Sequence, residues 1–199
     1  MIEKAHKFIL KFVEDEYKVN RSAFDRNVSR TDHGNFVDKF LNTYYTPFYA
    51  DILYGNMASM SLEHLSDEVV EKTYNSRIIR TPYLIRHYTN GRYGKGIQIK
   101  SKDRFDCFLG PDNTHIDNGI YLENFSIAID SNGDFKIVSI RTYFINKDGE
   151  QKTLEWGYED RSLEKKEGVT VLDDGECIES LKLVEPEIPL WKAHFNSFE

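Results

Sequence analysis

The chain has 199 residues, 40% of them apolar and 30% charged, with a net charge of −7, which places it among folded globular chains and excludes disordered or fibrous classes. One core is the expectation at this length. No stretch approaches the roughly 18–20 apolar residues that a membrane helix needs, and residues 155–199 hold 12 acidic and five basic side chains, so the whole net charge lies there and no basic stripe for nucleic acid is left.

The opening Met1-Ile2-Glu3-Lys4 is followed by charges every few residues rather than by an apolar run, so no signal peptide is expected and a cytoplasmic location follows. Ile2, Ala5, Phe8, Ile9, Phe12, Val13 and Tyr17 recur at three- and four-residue steps and predict an amphipathic helix. A polar stretch over 20–35 breaks it. Phe36, Val37, Phe40, Leu41, Tyr44 and Tyr45 predict a second helix, Pro47 opens a short third one, and Gly55 is expected to end it. Ser61 or Ser66 is a cap for one more short helix through Leu65, Val69 and Val70.

From residue 77 the period changes to two. Residues 77–88 predict a strand that Pro82 turns into an edge or a bulge, because proline cannot donate to a ladder. Residues 97–100 and 104–109 predict a second strand or a broken pair. Residues 120–130 and 135–145 flank Ser131-Asn132-Gly133-Asp134, and the second run meets 152–158 across Asn146-Lys147-Asp148-Gly149. Asn-Gly and Asp-Gly tolerate positive φ and favour tight hairpins, so these runs predict an antiparallel meander. Residues 169–172 and 177–184 follow, then a tail. The expected organisation is one domain over 1–199: mainly helical in 1–75, mainly sheet in 77–184, and a tail over 185–199.

On the 135–145 strand, Phe135, Ile137, Ser139, Arg141, Tyr143 and Ile145 share one face and Lys136, Val138, Ile140, Thr142 and Phe144 the other. Both are largely apolar, so each face needs a covering. A pocket, a second subunit, or the chain's own segment 169–184 would provide the second one.

Helices first and a curved antiparallel meander afterwards make an α+β order that resembles the cone-shaped fold of the NTF2-like superfamily. The residues that carry the resemblance are the opening helix over 2–17, the helices between 35 and 74, and the meander over 120–129, 135–145 and 153–158. The resemblance implies N-terminal helices packed on a curved sheet. It also implies one of two activities: small-molecule chemistry of isomerase, dehydratase or hydrolase type in the cone, or catalytically silent binding. One branch holds the bacterial immunity proteins of polymorphic-toxin systems, which are cytoplasmic, carry no cofactor and bind a cognate toxin.

Several residues invite chemistry. Arg141 interrupts an apolar face and calls for a carboxylate such as Glu123, Asp106 or Glu155, as a structural ion pair or as a pocket or interface residue. Asp103 and Asp106 flank Arg104, yet three positions apart on a strand they point to opposite faces, which argues against a catalytic acid pair. His115 and Asp117 lack a third metal ligand. His87, at a strand end, has the chemistry of a general base, but no neighbour in the sequence orients it. Cys107 and Cys177 have neither disulfide nor zinc spacing and read as reduced packing residues. No serine-hydrolase elbow, P-loop, dinucleotide-binding or metalloprotease motif occurs.

The expectation is therefore a non-enzymatic protein-binding module, an immunity protein that neutralises a toxin domain, with no catalytic, metal or cofactor site; the alternative is a small-molecule enzyme or carrier. A homodimer is a further arrangement that the apolar faces allow. The candidate interface or pocket residues are Arg141, Tyr143, Trp156, Tyr158, Trp191, Asp173, Asp174 and Glu176.

Overall fold

The computed structural model describes residues 1–59, 66, 68, 80–89, 92–93, 99–111, 119–146, 151–153, 171–173 and 175–183. It is α+β, with three helices followed by eight strands delimited among the described residues. The chain divides into two compact units, residues 8–78 and residues 1–7 with 79–199.

The first helix, α1 (Ile2–Ser22), buries Ile2, Ala5, Ile9, Phe12 and Val19, while Leu10 and Tyr17 are exposed. Tyr17 thus leaves the apolar stripe assigned to it, and the helix continues to Ser22. The second helix, α2 (Arg30–Tyr44), starts earlier than the apolar spacing predicts, because Ser29 caps it: the Ser29 hydroxyl oxygen accepts from the Asp32 backbone N–H at 3.1 Å and satisfies one donor of the first turn. Pro47 stands at the start of α3 (Pro47–Ala58), as expected. Gly55 does not end that helix. It lies inside it, and α3 runs on to Ala58. The proposed fourth helix lies outside the described residues apart from positions 66 and 68.

Within the 8–78 unit the core is aromatic. Phe12 stacks on Phe40 with ring centroids 5.6 Å apart and meets Tyr44 and Tyr45 edge-on, geometries that add to plain area burial. Tyr44 donates to Asp15 Oδ2 at 2.7 Å. Buried His33 ties three helices together: its Nε2 donates to the Met57 carbonyl in the last turn of α3 at 3.0 Å, and its Nδ1 lies 2.8 Å from Ser22 Oγ.

Among the described residues the other unit holds a curved, open, six-stranded antiparallel sheet. Its strands are β1 (Arg80–Thr89), β3 (Ile99–Pro111), β4 (Gly119–Asp130), β5 (Phe135–Asn146), β6 (Gln151–Thr153) and β8 (Glu176–Lys182), in the order β6-β5-β4-β3-β1-β8. Two short strands, β2 (Arg92–Tyr93) and β7 (Val171–Asp173), form a separate ladder. The β4–β5 hairpin turns at Gly133, whose φ is 91°, and the Asp130 carboxylate accepts from the backbone N–H groups of Asn132 and Asp134 at 2.8 and 2.9 Å. Pro82 sits at a bulge between Pro82 and Leu84. The edge alternative does not hold for the rest of that strand, because β8 pairs with residues 84–89. Of the 97–100 and 104–109 runs, the described residues belong to one long strand, β3, with a register shift between Ile99 and Arg104.

Residues 104–110, 124–128 and 137–140 are buried without interruption. Since neighbours on a strand point to opposite faces, both faces of the sheet centre are covered, as expected from β5, but the register shift opposite Ser126 and Ile127 puts Ile137 and Ser139 on opposite faces and so splits the single face expected for 135–145. In the described part of segment 169–184, β8 extends the sheet beside β1 and is its edge strand among the described residues, while β7 pairs with β2 in the separate ladder.

Candidate functional site

Register sorts the polar residues of the sheet onto two faces. Arg86 pairs with Asp106, and Asp106 with Ser126. Tyr88 pairs with Arg104, and Phe108 with Asn124. On β5, Ser139 stands opposite Ser126 and position 141 opposite Asn124. These positions share one face. The other carries Ile85, His87, Phe105, Cys107, Phe125, Ile127 and Ile137, an apolar set with one imidazole.

The polar face is built around Asp106. Arg104 Nη2 donates to Asp106 Oδ2 and Ser126 Oγ donates to Asp106 Oδ1, both at 2.8 Å. Arg104 is 2% exposed and Asp106 6%, so the pair is desolvated and each charge depends on the other. The Arg104 guanidinium also sits 4.6 Å above the Tyr88 ring, in cation–π range. Burial pushes the Tyr88 phenol above its ordinary range and the Asp106 charge adds to this, while a hydrogen bond with Arg86 pulls the other way. Arg86 in turn lies over Phe108. Asn124 Oδ1 is buried with no hydrogen-bond partner among the described residues.

On the apolar face His87 is oriented after all. Its Nε2 lies 2.9 Å from Asp103 Oδ1 and its ring stacks on Phe105 at 4.4 Å. The partner lies 16 residues away on the next strand, which is why local sequence does not reveal it. His87 Nδ1 is buried and has no hydrogen-bond partner among the described residues. Asp103 and Asp106 do face opposite sides, as the alternation requires. Asp106, one of the carboxylates considered for Arg141, accepts from Arg104 and Ser126.

Cys107 is buried, and desolvation raises its thiol well above the ordinary range, with the Asp106 charge adding to the effect. Cys177 is exposed on β8, which corrects its reading as a packing residue: side chains on both faces of that strand are exposed, so among the described residues nothing packs over the thiol. Among the described residues no three His, Cys, Asp or Glu side chains converge on a metal position, and no helix is long and apolar enough to cross a membrane.

Of the sequence candidates, Glu176 is exposed at the start of β8 and Asp173 ends β7 opposite Arg92 in register. Arg141 and Tyr143 occupy β5 backbone positions opposite Asn124 and Leu122, with side chains outside the description. Trp156, Tyr158, Trp191 and Asp174 lie outside the described residues, as do His115 and Asp117. Contacts among these candidates therefore lie outside the described residues. The cluster that the structure does assemble, Arg104, Asp106, Ser126 and Tyr88, is missed at the sequence level apart from Asp106; the available signal is an Arg and an Asp two apart, on one face, within a buried strand.

β8 is open along its length. Its residues are exposed along the strand except for Leu181, and Ile178 is 54% exposed. Glu176 and Glu179 give it an acidic character. Comparison with protein-family models, curated proteins and solved structures found no match.

Proposed function

We propose that the chain is a non-catalytic protein-binding module of NTF2-like type, acting in the cytoplasm as a bacterial immunity protein that binds and neutralises a cognate toxin. One observation carries this reading: the acidic strand β8 lies exposed at the sheet edge, within the C-terminal region that holds the whole net charge. Carboxylates on an open strand steer a cationic partner and raise its on-rate, while the exposed Ile178 adds apolar area at the same place. Occlusion of the toxin requires no catalytic group of this chain.

The test is capture of the C-terminal domain of the protein encoded by the adjacent gene. Nanomolar binding with loss of that domain's toxicity supports the reading, and absence of both contradicts it.

A second reading, a small-molecule enzyme or carrier, draws on the buried polar face. Five residues of that face, Arg104, Asp106, Asn124, Ser126 and Ser139, are each less than 9% exposed, and polar groups converging in a buried setting are what a ligand site needs. Asp106 already accepts from Arg104 and Ser126, which gives that face a structural role and leaves protein binding as the better-supported function.

A further inference from the structure

We infer that the partner is held by strand addition, with an extended basic segment pairing along the outer edge of β8. The inference rests on the protein-binding reading above and specifies its mode. Leu183 N–H donates to the Tyr83 carbonyl at 2.9 Å, and in an antiparallel ladder the bonded pairs recur at every second residue. In the register Ile85↔Leu181 and His87↔Glu179, Leu181 and Glu179 turn their backbone groups toward β1. Ser180, between them, turns its N–H and C=O away from β1. Among the described residues β1 is the strand that β8 pairs with, and side chains on both of its faces are exposed.

Charge selects the occupant. β8 carries Glu176 and Glu179 against the single Lys182, so a second copy of this chain would meet a strand of the same net charge, and like charges across a ladder are destabilising. A segment alternating Arg or Lys with apolar residues meets the opposite condition. Main-chain bonds supply affinity in such an arrangement and alternate side chains supply specificity. Ile178 sits where the β1–β8 register shifts, between the partners of His87 and Tyr88. A bulge there aims the isoleucine outward as an apolar contact.

Two capped peptides, one alternating Arg and Val over six residues and one alternating Glu and Val, are titrated into the ¹⁵N-labelled full chain. The basic peptide shifts the amides of residues 177–180 and slows exchange of the Ser180 amide by at least about tenfold, and the acidic peptide does neither. Ser180→Pro removes an outward N–H and loses the basic peptide, while Ser180→Ala keeps it. The double variant Glu176→Lys, Glu179→Lys reverses the preference and tests the inference even if the proline variant fails to fold. An equal response to both peptides, a response confined to other strands, or concentration-dependent changes at β8 without peptide, which mark a second copy, would each overturn it. If the adjacent gene's toxin domain binds tightly and leaves Ser180 exchange unchanged, the mode is wrong and the binding reading stands; if the basic peptide docks on β8 but the toxin domain does not bind, strand addition stands and the immunity reading falls.

Discussion

Asp103 and Asp106 lie three residues apart on β3 and serve opposite faces of the sheet: Asp103 meets His87 at 2.9 Å among apolar neighbours, and Asp106 accepts from Arg104 and Ser126 at 2.8 Å on the polar side. Because Arg104 and Asp106 are nearly fully buried, Asp106→Ala should cost about 3–5 kcal/mol, the penalty for a buried charge stripped of its counter-ion. Asp103→Ala should cost only about 1 kcal/mol, since the Asp103 side chain is part-exposed and the His87 stack on Phe105 persists. Arg104→Met with Asp106→Leu should recover most of the larger loss. Urea midpoints at unchanged m-value report all three.

Tyr44 and Asp15 form the pair through which pH acts on the helical unit. Burial opposes the Asp15 carboxylate, but the Tyr44 hydroxyl and the ion pairs with Lys11 and Lys18 outweigh it and hold Asp15 below its ordinary range. Burial, then the bond to Asp15, raises the Tyr44 phenol far above its own. With a folded value below the unfolded one, Asp15 contributes in full above about pH 4 and loses its contribution as pH falls through the folded value; Tyr44, shifted upward, contributes in full below about pH 10 and loses it on further rise. Tyr44→Phe should cost about 1 kcal/mol at pH 7 and flatten both limbs of the stability curve, read as helical circular dichroism against urea at pH 3, 7 and 10.5.

Gly55 lies inside α3, and a methyl group placed there meets nothing within 4 Å. Gly55→Ala should stabilise the chain by about 0.5–1 kcal/mol through helix propensity alone.

Gly133 is the opposite case. Its φ of 91° at the β4–β5 turn suits glycine, so Gly133→Ala should destabilise by about 1–2 kcal/mol. Both shifts are measurable as changes in melting temperature.

These contrasts show which parts of the fold are legible in the residues alone. The amphipathic spacing of α1, the start of α3 at Pro47 and the turn at Gly133 are local, and each follows from the chemistry of a few neighbours. Gly55 misleads because propensity is a weak term that a continuing helix overrides. Ser29 is passed over because the apolar stripe resumes only after the capped first turn. The link between His87 and Asp103, and the grouping of Arg104, Asp106, Ser126 and Tyr88, depend on strand register, and β1 and β3 meet across residues with no shared periodicity. The apolar pattern of β5 correctly implies two covered faces, whereas the polarity of one face at β1, β3 and β4 emerges only when the strands are aligned. Arg141, the residue singled out first, has its backbone position opposite Asn124, with its side chain outside the description.

The most direct measurement is calorimetric titration of the adjacent gene's toxin domain into this chain and into the Glu176→Lys, Glu179→Lys variant. Binding by the parent chain, with a loss of at least about tenfold in affinity for the variant at unchanged thermal stability, is the predicted result. Affinity that is the same for both, or no binding by the parent chain, would contradict a toxin-binding role carried by β8.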